Sequence, residues 1–294
     1  MGVGTLAGAF LYNHNRDVLL KRIVVVSDLH VGSLYGLLPP DYVTSEDIPK
    51  PQNPGQVYLW ECWKDFCARA AEFKPDVIVV NGDALDGKQQ AQRQTEISLP
   101  LIVDQQDASV VTLGLLPAVK KLYFLAGTPY HVGDGSEWEE NVAAACGGER
   151  YAGAGTGKRV REVLDLEVEG VIFNFAHHIS PASGFYRATA SDREGQWSSM
   201  SAKDETKGIP KAAVLVRSHV HNFVHVEHAS KHIVQTPCWQ LQTRFMRRHS
   251  VYRCLPDIGG IFFEVNGRQK GYDDPVKLVK HLYSLPPAPV VKIT

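Results

Sequence analysis

Apolar residues in this chain fall in short unbroken runs that stop abruptly on polar residues. Ile23 to Val26, Asp76 to Asn81 and Ala212 to Arg217 are rich in β-branched side chains and lack alternation, so they predict strands covered on both faces, and Lys121 to Ala126 supplies a further strand ending at Gly127. Between the first two lies Val57 to Phe73, where Leu59, Trp60, Trp63, Phe66, Cys67, Ala70 and Phe73 recur at helical spacing. That aromatic stripe reads as core, and Pro75 closes the helix. A second helix is predicted up to about Ala118, and Ser136-Glu137-Trp138-Glu139 reads as a capping box opening a helix to about Cys146. Strand, helix, strand, helix, strand is the pattern of a parallel sheet.

Beyond residue 150 the pattern changes. Arg161 to Glu169 and Val171 to Ala176 predict a hairpin about Gly170, and short strands follow near Phe223 to Glu227, His232 to Gln235 and Ile261 to Val265. Ser33 to Gln56 contains Pro39, Pro40, Pro49, Pro51 and Pro54, which argues against regular structure and for a long loop serving as a lid or substrate wall. After Asp274 a short helix is expected, then an extended, exposed stretch at Pro286-Pro287-Ala288-Pro289. No repeat or linker is visible. The 294 residues read as one mixed α/β domain with a core over about 22–266 and a tail over about 275–294.

Charge narrows the partners. With 31 basic and 32 acidic residues the formal charge is −1, so no global field recruits nucleic acid. Two local basic runs remain, Lys158-Arg159 and Arg244-Phe245-Met246-Arg247-Arg248-His249. The second includes an aromatic, as a nucleic-acid surface would, although a solvated charged face is the simpler reading. The five cysteines are widely spaced with no C-x-x-C pair, which fits small buried hydrophobes in a reducing compartment. The apolar segment from Val3 to Tyr12 is too short to span a bilayer and lacks the basic start of a secretory signal. A cytoplasmic protein without membrane contact is expected.

Candidate chemistry lies where the apolar runs end. Asp28/His30, Asp83/Asp86, Thr128/His131, His177/His178 and His219/His221 each follow one, so each falls at the same kind of structural position. Ligands bind beyond the carboxyl ends of strands in open α/β sheets. A carboxylate and an imidazole two residues apart in extended chain can both reach one ion, and mixed nitrogen and oxygen donors suit Mn, Fe, Zn or Ni better than Ca. Asp-x-His alone is a weak signal; five such pairs are not.

The blocks Asp28-Leu29-His30, Gly82-Asp83-Ala84-Leu85-Asp86, Gly127-Thr128-Pro129-Tyr130-His131, His177-His178 and Ser218-His219-Val220-His221 resemble, in order, those of the calcineurin-like metallophosphoesterase superfamily. The style of the third and fourth blocks is similar to the branch common in phage and prophage genomes. The resemblance implies a four-layer αββα sandwich of two mixed sheets. It implies two divalent metal ions, Mn foremost with Fe, Zn, Ni or Mg as alternatives: Asp28, His30 and His221 on the first, His177 and His219 on the second, and Asp83 bridging both. A hydroxide held between the ions would be the nucleophile, and Asp86 would orient a ligand histidine from outside the ligand sphere. Thr128 stands where the family has a ligating Asn, so the second site is expected to be weaker or completed by water. His131 comes two residues later than the family's catalytic His. It is read first as acid or electrostatic stabiliser, then as metal ligand, then as a plain loop residue. Strand alternation allows only one of His177 and His178 to face the metals, and His177 is chosen by its position in the block. His225, His228 and His232 lie outside the motif and are given ordinary surface or hairpin roles. The implied activity is hydrolysis of a phosphodiester, with nucleic acid or nucleotides among the substrates. The alternatives are a phosphomonoesterase or protein phosphatase, and a metal-free scaffold on the same fold.

Overall fold

The computed structural model describes residues 20–90, 93–151, 157–180, 186–252, 255–267 and 274–286; the apolar segment from Val3 to Tyr12, Cys254 and the stretch beyond Pro286 lie outside them. The first apolar run becomes β1 (Leu20–Val26), whose last four residues are buried. The proline-rich segment that follows, expected from its composition to lack regular structure, carries a short ribbon. Tyr42–Val43 (β2) and Pro49–Lys50 (β3) pair as a small antiparallel ribbon, a two-stranded edge where proline's missing N–H is tolerated. Leu37, Leu38 and Tyr42 are buried, and the Tyr42 hydroxyl donates to the Asp104 carbonyl at 2.9 Å. This segment is packed onto the body, and none of it lines the cleft described below.

Helix α1 (Pro54–Phe73) starts three residues before the periodicity predicts, because Pro54 occupies a first-turn position and Asn53 caps it. The Asn53 side chain accepts from the Gly55 and Gln56 N–H groups, and the Gln56 side chain accepts from the Asn53 N–H, a reciprocal capping box. Next come β4 (Val77–Val80), α2 (Ile102–Leu113), β5 (Lys121–Leu125), the single turn α3 (Pro129–Val132), α4 (Glu137–Ala145) and β6 (Val160–Arg161). The capping box predicted at Ser136 does not form. Ser136 has φ 57° and makes no side-chain cap, while Glu139 turns inward and is fully buried.

The hairpin is β7 (Val163–Val168) and β8 (Val171–Ala176), joined through Glu169 and Gly170 at positive φ, the backbone of a tight two-residue turn. Helix α5 (Arg187–Ser201) has no sequence counterpart: it packs through Ala190, Ser191 and Gly195, so no apolar period advertises it. Strands β9 (Val214–Arg217), β10 (Val224–His228) and β11 (Lys231–Gln235), the short α6 (Arg244–His249), and β12 (Ile258–Asn266) follow. The short helix expected after Asp274 is instead β13 (Val276–Tyr283). It pairs antiparallel along β12 for its whole length, and that ladder overrides the weak local preference.

One sheet has the order β13-β12-β1-β4-β5-β6, with β1, β4, β5 and β6 parallel; the other runs β10-β11-β9-β8-β7 and is also mixed. Alternate residues explain the layering. Val24, Val26, Ile78, Val80 and Phe124 pack with Leu59, Trp63 and Phe66 of α1, while Ile23, Val25, Val77 and Val79 pack against Phe173, Phe175, Val214 and Val216 of the second sheet. Leu215 and Ile233 point the other way, and Ile233 lies beneath Gly195 of α5. The result is helix, sheet, sheet, helix, a four-layer αββα arrangement. Among the described residues no helix is long and apolar enough to cross a membrane.

Candidate metal centre

The carboxyl ends of β1, β4, β5, β8 and β9 converge, and the loops leaving β1 and β4 run side by side. The Asp28 N–H donates to the Gly82 carbonyl at 2.9 Å, His30 N–H to Asp83 at 3.1 Å, and Asp86 N–H to Val31 at 3.0 Å. The loop after β11 closes the third side, with Trp239 N–H donating to the Asp28 carbonyl at 2.9 Å. Asp28, His30, Asp83, His219 and His221 all have φ between 46° and 73°, a left-handed backbone costly for residues with a Cβ. Close approach also demands glycine: a Cβ on Gly127 would stand 2.2 Å from Asp83 Oδ1, and one on Gly82 2.4 Å from His177 Nδ1.

Asp28, His30 and His221 form one knot. His30 Nε2 and His221 Nε2 are 3.2 Å apart, with Asp28 Oδ1 3.3 Å from His221 Nε2 and 4.0 Å from His30 Nε2. The second knot joins Asp83, His177, His219 and Thr128. His177 Nε2 lies 3.0 Å from Asp83 Oδ2 and 3.9 Å from Asp28 Oδ1, which ties the knots together. Thr128 Oγ1 donates to Asp83 Oδ2 at 3.1 Å and stands 3.2 Å from His219 Nδ1. The hydroxyl therefore lies within hydrogen-bond reach of both Asp83 and His219.

Outer contacts aim the rings. His177 Nδ1–H donates to the Asn81 carbonyl at 2.7 Å, which turns Nε2 inward; Asp86 Oδ1 does the same for His30 through Nδ1 at 2.9 Å. His131, on α3, donates from Nδ1 to the Asp86 carbonyl at 2.7 Å, and its ring meets the His30 ring edge-on at 4.6 Å. His178 departs from the expected opposite-face placement. The strand stops at Ala176, alternation lapses, and the His178 ring sits 5.0 Å from that of His219.

Burial would raise the carboxyl of Asp28, but His177 and His221 overcome this and hold it at about 2. Asp83 is likewise lowered, against its burial, chiefly by His177. Burial opposes a charge on His177, and Asp83 and Asp28 outweigh it, lifting the imidazole to about 10. His219 goes the other way, pushed down to about 4 by burial and by His177.

Several supporting residues carry no motif. Glu139, pushed up to about 8 by burial and by Asp83, accepts from the N–H groups of Gly127 and Ala84, clamping the β4 and β5 loops. Ser27, Thr236, Ser218 and Asn81 form a buried chain of hydrogen bonds beneath the knots. Each directly follows the end of a strand, β1, β4, β9 or β11, and apart from Ser218, which opens the last block, that position is their sequence signal. Trp239 packs at 4.8 Å against Trp63, so its indole is core, while Gln240 beside it reaches the cleft.

The cleft over these knots has a volume of about 470 Å³ and is lined by His30, Asp83, Thr128, His131, His219 and His221 together with Tyr130, Thr243, Phe245 and Met246. Asp28 Oδ1 supplies the test of whether a cation fits. It is buried, makes no hydrogen bond with the described residues, and is ringed by three imidazole nitrogens within 4.0 Å. An orphan carboxylate oxygen among convergent nitrogens suits a divalent ion of the Mn, Fe or Zn class.

No family model matches the sequence, and no curated protein matches it. Solved structures similar in outline include a Vps29 variant from Entamoeba histolytica at 12% identity and TM-score 0.39, covering 90% of this chain and 99% of that one. An archaeal phosphodiesterase has 7% identity and TM-score 0.42 over 88% and 99% of the two chains, and a predicted phosphoesterase from Streptococcus pneumoniae 12% and 0.34 over 89% and 98%. What the chain does has to be read from the cluster itself.

His177 gives the metal-free protein a signature. Its folded value of about 10 lies above the ordinary 6.5, so its stabilising contribution is complete below pH 6.5 and is lost as pH rises toward 10. Urea unfolding of chelator-treated protein is expected to show stability falling over that window, and a His177→Gln variant to show a flatter profile. An equal slope in both would contradict the assignment of charge to His177.

Proposed function

We propose that this chain is a divalent-metal-dependent phosphoester hydrolase of the calcineurin-like type. The unsatisfied Asp28 Oδ1, facing His221, His177 and His30 in the interior, is the observation that carries the reading. Asp28, His30 and His221 would hold one ion, His177 and His219 a second, with Asp83 shared and Thr128 Oγ1 in reach of the second. When bound, such a pair lowers the pKa of water and neutralises charge on a phosphoryl group. Manganese is one of several metals that this donor set accepts. The Gly-Thr-x-x-His form of the third block supports placement in the phage-type branch.

The chain's own residues do the rest. Asp86 holds the His30 ring in register, and the clamped loops keep Asp83 within reach of both knots. His131 spends Nδ1 on the Asp86 carbonyl, which leaves Nε2 for substrate. From the cleft wall it would give a proton to the departing oxygen or stabilise charge there.

Helix α6 supports a phosphodiester with bases attached. Thr243 caps it at the cleft wall, Phe245 and Met246 line the cleft, and Arg244, Arg247 and Arg248 are exposed beside them. Guanidinium groups for phosphates next to an exposed ring for a base is the combination that single-stranded nucleic acid uses.

With Mn²⁺ supplied, bis-p-nitrophenyl phosphate is expected to turn over faster than p-nitrophenyl phosphate; the reverse order supports a monoesterase. Asp83→Asn should abolish turnover and lower bound metal together, because the shared charge is lost. His131→Ala should cut kcat by roughly 10²–10⁴-fold with metal content unchanged. Loss of a metal equivalent in that variant would make His131 a ligand instead.

A further inference from the structure

We propose that His225, Glu227 and His232 form a second, separate metal site on the β10–β11 hairpin. Strand pairing builds it. Glu227 stands directly opposite His232 in the antiparallel register, and His225, two residues before Glu227, shares its face. One donor atom from each of the three falls within 4.8 Å of the other two. His225 Nε2 and His232 Nδ1 are 2.9 Å apart, with the rings 14° from parallel.

Asp274 sets the chemistry. Its Oδ2 lies 2.6 Å from His232 Nε2, and since a carboxylate only accepts, Nε2 carries the proton. In the neutral ring His232 Nδ1 is then left as a lone pair facing His225. A carboxylate behind the far nitrogen of an imidazole is how proteins orient a metal-binding histidine. The Glu227 carboxylate makes no hydrogen bond with the described residues and is exposed, so the third ligand is available and water can complete the set. Two imidazoles and one carboxylate select a zinc-class ion over calcium or magnesium.

The site is independent of the catalytic reading. None of its residues lines the central cleft; Glu227, His232 and Asp274 border a different hollow, at the edge where β10 of one sheet lies beside the entry to β13 of the other. A bound ion would cross-link the two strands of the hairpin, and Asp274 joins it to the entry of β13 through His232. The same contacts also form a self-sufficient chain of hydrogen bonds, and metal counting separates the two.

The 294-residue chain is stripped with chelator, reloaded with zinc alone, freed of excess and analysed by plasma mass spectrometry. His225→Gln, at a half-buried edge position, is expected to remove about one zinc per chain from the total. An Asp28→Asn/Asp83→Asn variant should keep about one, lost on adding His225→Gln. If that double variant does not fold, the subtraction in the otherwise unaltered chain decides alone. An unchanged zinc count after His225→Gln, or a folded double variant without zinc, overturns the proposal.

Discussion

Two carboxylates, Asp28 and Asp83, are held almost wholly out of water at the ends of adjacent parallel strands. Ionised groups in such a place cost several kcal/mol each unless positive charge meets them. The centre is arranged around that requirement. His177 and His221 crowd Asp28 Oδ1, the His219 N–H reaches Asp28 Oδ2 at 3.3 Å, and the Thr128 N–H donates to Asp83 Oδ1 at 2.7 Å. Imidazolium can supply the missing charge, and a divalent ion supplies more of it while using the oxygen that no hydrogen bond satisfies.

Meeting the same requirement shapes the backbone around it. Strands can deliver side chains to one edge only if the chain turns sharply as each strand ends, which is why so many centre residues sit at positive φ and why Gly82 and Gly127 have no room for a side chain. The strain is held by what lies beneath. A buried run of hydroxyl and amide groups joins the loops after β1, β4, β9 and β11, and Glu139 grips two loops from α4. The two packed sheets and the aromatic stack of Trp63, Phe66 and Trp239 give these loops a rigid base.

Much of this was legible in the sequence, for identifiable reasons. Buried strands announce themselves as apolar runs, and the Asp and His residues at their ends follow from chain direction alone. Elements built on other physics did not show. Helix α5 packs through small residues, β13 is a strand because β12 offers it a ladder, and Asn53 turns Pro54 from a breaker into a helix start. Ser136 and Glu139 have the letters of a capping box, yet tertiary contacts to Ala84 and Gly127 took the glutamate. Long-range juxtapositions were the least legible. Nothing local says that His232 meets Asp274, or that Thr128 Oγ1 reaches Asp83.

The most direct test of a cation pair at this edge is an anomalous difference map from crystals of the Mn²⁺-loaded protein. Two peaks about 3.5–4 Å apart are expected, one on each side of the Asp83 carboxylate, with the orphaned oxygen of Asp28 turned to one of them. Strong anomalous density elsewhere with none between Asp28, Asp83 and His177 would contradict the account.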